Sequence, residues 1–274
     1  MPYSTTPKGP RRPTRGAPRH TAGDRPADAS VDPAEVRRFE ALAQTWWDAN
    51  GPMRPLHVMA PVRIGIVRDR AAQAFGRDPA AREAGVEQPF AGLTLLDVGC
   101  GGGLMAEPMA RLGFAVTAID AAAKNIEVAR RHALQSGLEI DYRAETLESM
   151  VASGRRFDVV LGLEVVEHVA DLNAFMAAVV AATKPDGLVI LSTLNRTAKA
   201  FAFAIVGAEY VLGLLPRGTH DWRKFVRPSE LAAAVRRAGA RVTELAGMTY
   251  SPLAGRWSIT RDLGVNYFAV AGRV

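Results

Sequence analysis

From Leu93 onward, apolar runs that read as strands alternate with stretches that read as helices. The strand-like runs fall at residues 93–98, 115–120, 138–143, 157–163, 187–193, 241–248 and 265–272, with helical stretches such as 122–136 and 171–183 between them. This rhythm implies parallel strands joined by crossover helices, an α/β fold with helices on both faces of one sheet. Only a turn, near Ser251-Pro252 to Gly264, separates the last two runs. They are therefore expected to pair antiparallel at one edge of a seven-stranded, mostly parallel sheet. No internal repeat is visible.

The first crossover carries the chemistry. Leu95-Leu96-Asp97-Val98 ends a strand, and Gly99-Cys100-Gly101-Gly102-Gly103 follows it. Glycines let the backbone turn sharply and approach a ligand without a Cβ clash. The helix expected from Leu104 then aims its N-terminus at that ligand. Asp120 ends the second strand, where a carboxylate can accept hydrogen bonds from a ribose diol. A dinucleotide and S-adenosylmethionine both offer such a diol, so the glycine spacing has to separate them. GxGxxG would need its third glycine where Leu104 stands; Gly99, Gly101 and Gly103 fit GxGxG instead. Asp97 beside the loop suits an ammonium group and would repel a pyrophosphate. A short-chain dehydrogenase would also want Tyr-x-x-x-Lys, and none of the five tyrosines has a lysine four residues on.

Outside this core the chain reads in three pieces. Residues 1–30 hold six prolines and six cations (Lys8, Arg11, Arg12, Arg15, Arg19 and Arg25) against two acids, Asp24 and Asp28. Such a segment cannot bury enough apolar surface to offset its ordering entropy, and it reads as a disordered basic tail. It carries most of the net charge of +6, so the charge does not mark a folded nucleic-acid face, and no nucleic-acid partner is expected. A helical cap is expected over 31–76. Asp32, Pro33 and Glu35 give a capping box, with an apolar stripe through Phe39, Trp46 and Trp47. A second helix is expected over 61–76, followed by a loop over 77–92. The Trp46-Trp47 pair is expected to pack this cap over the sheet edge. Residues 195–226 break the strand–helix rhythm and mark an insertion in a single domain, 31–274. The single cysteine, Cys100, excludes a disulfide framework within the chain.

At the carboxyl end of the fourth strand stand Glu164, Glu167 and His168, in Glu-Val-Val-Glu-His. If this is a helical turn, the three converge on one side. Two carboxylates and an imidazole can then hold a hard divalent cation such as Mg²⁺, which lowers the pKa of a chelated phenol. Without a metal, His168 is the candidate general base. An acidic turn that merely lines the pocket is the plainer alternative.

These blocks resemble the class I S-adenosylmethionine-dependent methyltransferases, and more narrowly the O-methyltransferases of ubiquinone biosynthesis. The resemblance rests on RFEALAQTWWDANGPMRPLH from Arg38, LLDVGCGGGL from Leu95, VTAID from Val116 and EVVEHV from Glu164. It extends through STLNRT from Ser192, VGAEYVLGLLPRGTHDWRKFVRP from Val206 and GVNYF from Gly264, covering about residues 32–273. It implies a Rossmann-like methyltransferase fold. It implies methylation of a phenolic hydroxyl of 2-polyprenyl-6-hydroxyphenol and 3-demethylubiquinol. It also implies cofactor contacts at Arg63, Gly99, Asp120 and Leu163, and metal contacts at Glu164, Glu167 and His168. His220 and Asp221 are further candidates for positioning the substrate.

Ala200 to Pro216 is strongly apolar and too short to span a bilayer. Arg196 and Lys199 precede it, and Arg217, Arg223 and Lys224 follow. Apolar residues with basic flanks suit contact with an anionic membrane surface through 196–224. The expected setting is cytoplasmic and peripheral to the membrane (matrix side of the mitochondrial inner membrane in a eukaryote), beside other ubiquinone-biosynthesis proteins. Three rival readings are a nicotinamide oxidoreductase, a non-catalytic cofactor-binding membrane scaffold, and a methyltransferase of a small soluble catechol.

Overall fold

The computed structural model describes residues 30–79, 88–202, 221–251 and 256–273. The expected tail, part of the 77–92 loop, and residues 203–220 of the insertion with His220 lie outside the described residues.

Asp32 caps the first helix, α1 (Pro33–Leu42), by accepting a hydrogen bond from the Ala34 N–H at 2.9 Å. A turn of 3₁₀ helix, Ala43–Thr45, carries the chain to α2 (Arg54–Phe75). This second helix begins seven residues before the expected start. Pro61 lies inside it, and Pro55 occupies its first turn, where a missing N–H costs nothing. Gly76 ends it in the left-handed region, at φ 60°.

Next come β1 (Thr94–Val98), α3 (Ala106–Arg111), β2 (Ala115–Asp120), α4 (Ala123–Gln135), β3 (Asp141–Ala144), α5 (Leu147–Ala152), β4 (Phe157–Leu163), α6 (Leu172–Ala182) and β5 (Thr183–Leu194). After these stand a single turn α7 (Ala198–Ala200), α8 (Pro228–Arg237), β6 (Ala240–Ser251), β7 (Arg256–Thr260) and β8 (Asn266–Arg273). The sheet order is β3-β2-β1-β4-β5-β8-β6-β7, with β1 to β5 mutually parallel. The α/β reading stands, but the sheet has an eighth strand. β8 runs antiparallel between β5 and β6, inside the sheet, and β7 forms the antiparallel edge. The extra strand arises because β6 continues to Ser251, past the apolar run that betrayed it, and folds back on Arg256–Thr260.

Period-two alternation sorts the strands onto two cores. Leu95, Val159, Leu161 and Ile190 face α2, α3 and α4, whereas Leu96, Val160, Val189 and Leu191 face α5, α6 and α8. Asp97 alternates with Leu96 and so shares the Leu95 face. The chain leaves β1 toward β2 on one side and lies beside β4 on the other. This switch point, at the carboxyl ends of the strands, is where open α/β sheets bind ligands.

Candidate functional site

A cavity of about 630 Å³ opens at that switch point. Its floor is the ends of β1, β2 and β4, and α1 and the first half of α2 cover it. Arg63, Asp97, Gly99, Asp120, Leu163, Glu164, Glu167 and His168 all line it. Gly101 and Gly103 stand behind the wall and shape it. Gly99, Gly101 and Gly103 have φ of 66°, 54° and 91°, the left-handed region. Close approach demands glycine as well. A Cβ on Gly101 would lie 2.3 Å from the Trp46 ring, and one on Gly103 would lie 2.2 Å from Tyr142 Oη.

Two acids flank the loop, Asp97 buried and Asp120 partly so. Asp120 Oδ2 accepts the Gly101 N–H at 2.9 Å and Oδ1 accepts the Ala122 N–H at 2.7 Å. Burial nonetheless raises its pKa. Asp97 is only 3% exposed, and its Oδ2 has no hydrogen-bond partner among the described residues. Burial, and then the neighbouring Asp120 charge, push it up to about 7. A buried carboxylate in this state is one that a hydrogen bond from a cation would stabilise. Across the cavity wall, the Arg63 guanidinium is 4% exposed. Its Nη2 lies 3.0 Å from Glu164 Oε1 without hydrogen-bond alignment, and its Nε also lacks a partner among the described residues.

The turn after β4 departs from a helix at its first residue. Glu164 sits at φ 56°, strained for a residue with a side chain. Its N–H donates to the Ser192 carbonyl at 3.0 Å, and its Oε1 accepts the Ser192 hydroxyl at 2.7 Å. A 3₁₀ turn, Val166–His168, follows. Glu167 is buried; its Oε2 accepts the Thr193 hydroxyl at 2.7 Å. Desolvation, with the Glu164 charge, raises its pKa to about 7. His168 turns the other way: Nδ1 lies 3.2 Å from Glu35 Oε2, and its ring meets Phe39 edge-on at 5.1 Å.

Comparison with known proteins agrees with this architecture. A protein family described as "Methyltransferase domain" matches residues 67–245. A ubiquinone biosynthesis O-methyltransferase of Methylobacterium sp. (strain 4-46) is 55% identical over 248 residues, covering 90% of this chain and 98% of that one. A protein of the same name from Parvibaculum lavamentivorans is 51% identical, covering 91% and 97%. The chain belongs to the ubiquinone biosynthesis O-methyltransferase family. The fold has solved counterparts. Magnesium protoporphyrin IX methyltransferase from Synechocystis PCC 6803 with bound SAH has a TM-score of 0.56 at 20% identity, covering 89% of this chain and 100% of that one. An S-adenosylmethionine-dependent methyltransferase from Clostridium acetobutylicum has a TM-score of 0.54 at 11% identity, covering 86% and 98%.

The three residues of the expected metal triad do not come together around one point here. No cluster of three ligating side chains assembles among the described residues. The left-handed step at Glu164 removes it from the helical turn, so the spacing that would have converged the three side chains does not apply. Glu164 turns to Ser192 and Arg63, Glu167 to Thr193 and His168 to Glu35. In this arrangement the donor set does not fit a divalent cation.

The Trp46-Trp47 pair packs on the glycine loop, not over the sheet edge. Trp46 covers Gly101 and Gly102 and donates from Nε1 to Asn125 Oδ1 at 2.9 Å; Trp47 Nε1 donates to the Gly102 carbonyl at 2.9 Å. Asn125 also stands near Asp120 and lowers its pKa against the effect of burial. Trp47 also stacks flat on His132, centroids 3.4 Å apart. Glu35 does more than begin a helix: it meets both His168 and Lys224, which also reaches Asp32. These contacts hold its carboxyl down to about 2. Asp221 is exposed and outside the cavity lining, where it caps the Trp222–Lys224 turn through the Arg223 N–H. Long-range pairing of this kind leaves no local signal; only the clustering of tryptophans beside an acid-capped helix hinted at it.

Proposed function

We propose that the chain transfers the methyl group of S-adenosylmethionine to a phenolic oxygen of polyprenylated catechol intermediates, 2-polyprenyl-6-hydroxyphenol and 3-demethylubiquinol. The observation that carries this reading is the unpartnered Asp97 carboxylate beside a GxGxG loop, in a chain whose relatives at about 55% identity bear that name. The cofactor supplies an electrophilic methyl group on a sulfonium. Asp97 would hold the ammonium group, Arg63 the carboxylate and Asp120 the ribose diol. The loop glycines 99, 101 and 103 and the backbone at Leu163 would shape the cradle. α1 and α2 keep water from the reacting atoms. His168 is assigned as the base that takes the phenol proton on Nε2, since Glu35 beside Nδ1 favours the proton on that nitrogen. Glu164 and Glu167 position the turn that carries His168.

We read residues 1–30 as a basic tail before one domain, 31–274, with a helical cap at 31–76 and an insertion at 195–226. The insertion would contact an anionic membrane surface at the cytoplasmic or matrix face. No helix among the described residues is long and apolar enough to cross a membrane. Of its basic flanks, Arg196 pairs with Glu230, Lys199 with Asp262 and Lys224 with Asp32 and Glu35. Of these, the Lys199–Asp262 pair lies at the surface and can exchange partners with lipid phosphates.

The test is methyl transfer from labelled S-adenosylmethionine to a short-chain prenylated catechol, with and without EDTA, in wild type and His168→Gln. Turnover that survives EDTA and falls at least a hundredfold in the variant supports the base assignment. Turnover abolished by EDTA and restored by Mg²⁺ would return Glu164, Glu167 and His168 to a metal role. Cofactor binding without turnover on any catechol would overturn the reading in favour of a scaffold.

A further inference from the structure

We infer that the side-chain carboxamide of Asn266 recognises the acceptor's second hydroxyl, the one beside the oxygen that receives the methyl group. The inference rests on the reaction proposed above. Asn266 opens β8 and stands opposite Leu194 in the antiparallel register. That puts it at the carboxyl end of β5, next to the row where Ser192 and Thr193 hold Glu164 and Glu167. It is 5% exposed and lines the cavity, yet its Oδ1 has no hydrogen-bond partner among the described residues.

A buried amide oxygen without a donor is costly, and native proteins pair nearly all of them. Nothing in the strand calls for it, since the five residues that follow, Tyr267 to Ala271, are all buried with apolar or aromatic side chains. A leucine or valine at 266 would satisfy the packing without the penalty. The donor must therefore come from the cavity. In the reading above Asp97, Asp120 and Arg63 meet the cofactor's ammonium, ribose and carboxylate groups, and Asn266 is assigned to the acceptor. The same cavity is lined by the apolar and aromatic side chains of Met59, Leu194, Tyr250, Trp257 and Val265. They offer a wall for a ring, and the Asn266 oxygen offers a hydrogen-bond acceptor. A phenolic hydroxyl supplies the missing hydrogen; a hydrogen atom or a methoxy group in its place does not. Asn266 thus selects rings with a free hydroxyl next to the target oxygen.

Calorimetry on the full chain with S-adenosylhomocysteine present tests this, using a short-chain prenylated catechol and the same ring with one hydroxyl removed. Wild type is expected to bind the catechol more tightly. Asn266→Leu should weaken catechol binding roughly three- to thirtyfold, leave the mono-hydroxy ring within about twofold, and leave S-adenosylhomocysteine affinity unchanged. An equal effect on both rings, or none on the catechol, overturns the inference; the latter is also the result expected if only a water meets Oδ1. Should Asn266→Leu fail to fold, Asn266→Asp keeps an acceptor oxygen in place and must keep the catechol preference; losing it overturns the inference. Parallel turnover assays separate the two readings. Wild type that methylates neither ring overturns both, whereas wild-type turnover with an indifferent Asn266→Leu overturns this one alone.

Discussion

Asp97→Asn separates binding from folding, because the two should move in opposite directions. Asp97 is fully enclosed and its carboxyl sits near 7. Moving it there from its ordinary value near 4 means that ionising it above pH 7 opposes folding by up to about 4 kcal/mol. A carboxyl raised in the folded state adds stability below its unfolded pKa and loses it as pH rises through about 7. Asparagine removes that loss, so the ligand-free variant should unfold at the same or a higher temperature than wild type at pH 8. Binding should suffer instead. A hydrogen bond to an ammonium group contributes about 1.5–3 kcal/mol, so the dissociation constant for S-adenosylmethionine should rise roughly 10- to 150-fold. Wild-type affinity should climb with pH up to about 7 and then level off, whereas the variant's should be flat across that range. Isothermal titration at pH 6, 7 and 8 with thermal unfolding of the ligand-free protein reads all three effects. Affinity within twofold of wild type, or a ligand-free variant destabilised as by a lost hydrogen bond, would refute the role given to Asp97.

Other perturbations follow from the same contacts. Trp46→Phe keeps the ring over Gly101 and Gly102 but loses the donor to Asn125 Oδ1; cofactor affinity should fall by about 0.5–1.5 kcal/mol, and Trp46→Ala, which uncovers the loop, should cost clearly more. Tyr142 Oη is buried without a partner among the described residues, so Tyr142→Phe should leave the melting temperature unchanged or raised. Gly103→Ala forces a Cβ against that oxygen at φ 91° and should cost several kcal/mol by denaturant titration; adding Tyr142→Phe should recover only part of it. The Glu35 carboxyl is held at about 2 by His168 and Lys224. The stability wild type holds over Glu35→Gln should be full above pH about 4.5 and shrink as pH falls toward 2, read from melting temperatures across that range.

What could be read from the sequence was whatever the chain settles locally. A strand ending in Asp97-Val98 and running into glycines fixes the crossover, and Asp120 follows at the end of the next strand; all three features line or shape the cavity. The departures lie where distant segments decide the outcome. Pro61 reads as a helix start, but α2 already runs from Arg54 and carries Pro61 in its interior, on an exposed face. β8 enters the sheet between β5 and β6, a choice made by pairing across the sheet and not by the apolar run itself. The Glu164 turn has helical spacing, but the backbone reverses hand at its first residue, so the spacing misled. Asn266 carried no local signal at all: an asparagine opening a strand becomes conspicuous only once its oxygen is found buried and unpaired.

The most direct test of the account is the fate of a labelled methyl group. Incubated with S-adenosylmethionine labelled on that carbon and a short-chain prenylated catechol, the protein should place the label on a ring oxygen as an aryl methyl ether, with S-adenosylhomocysteine formed in equal amount. Label found on carbon or nitrogen, or cofactor bound and never consumed with any catechol, would contradict the account.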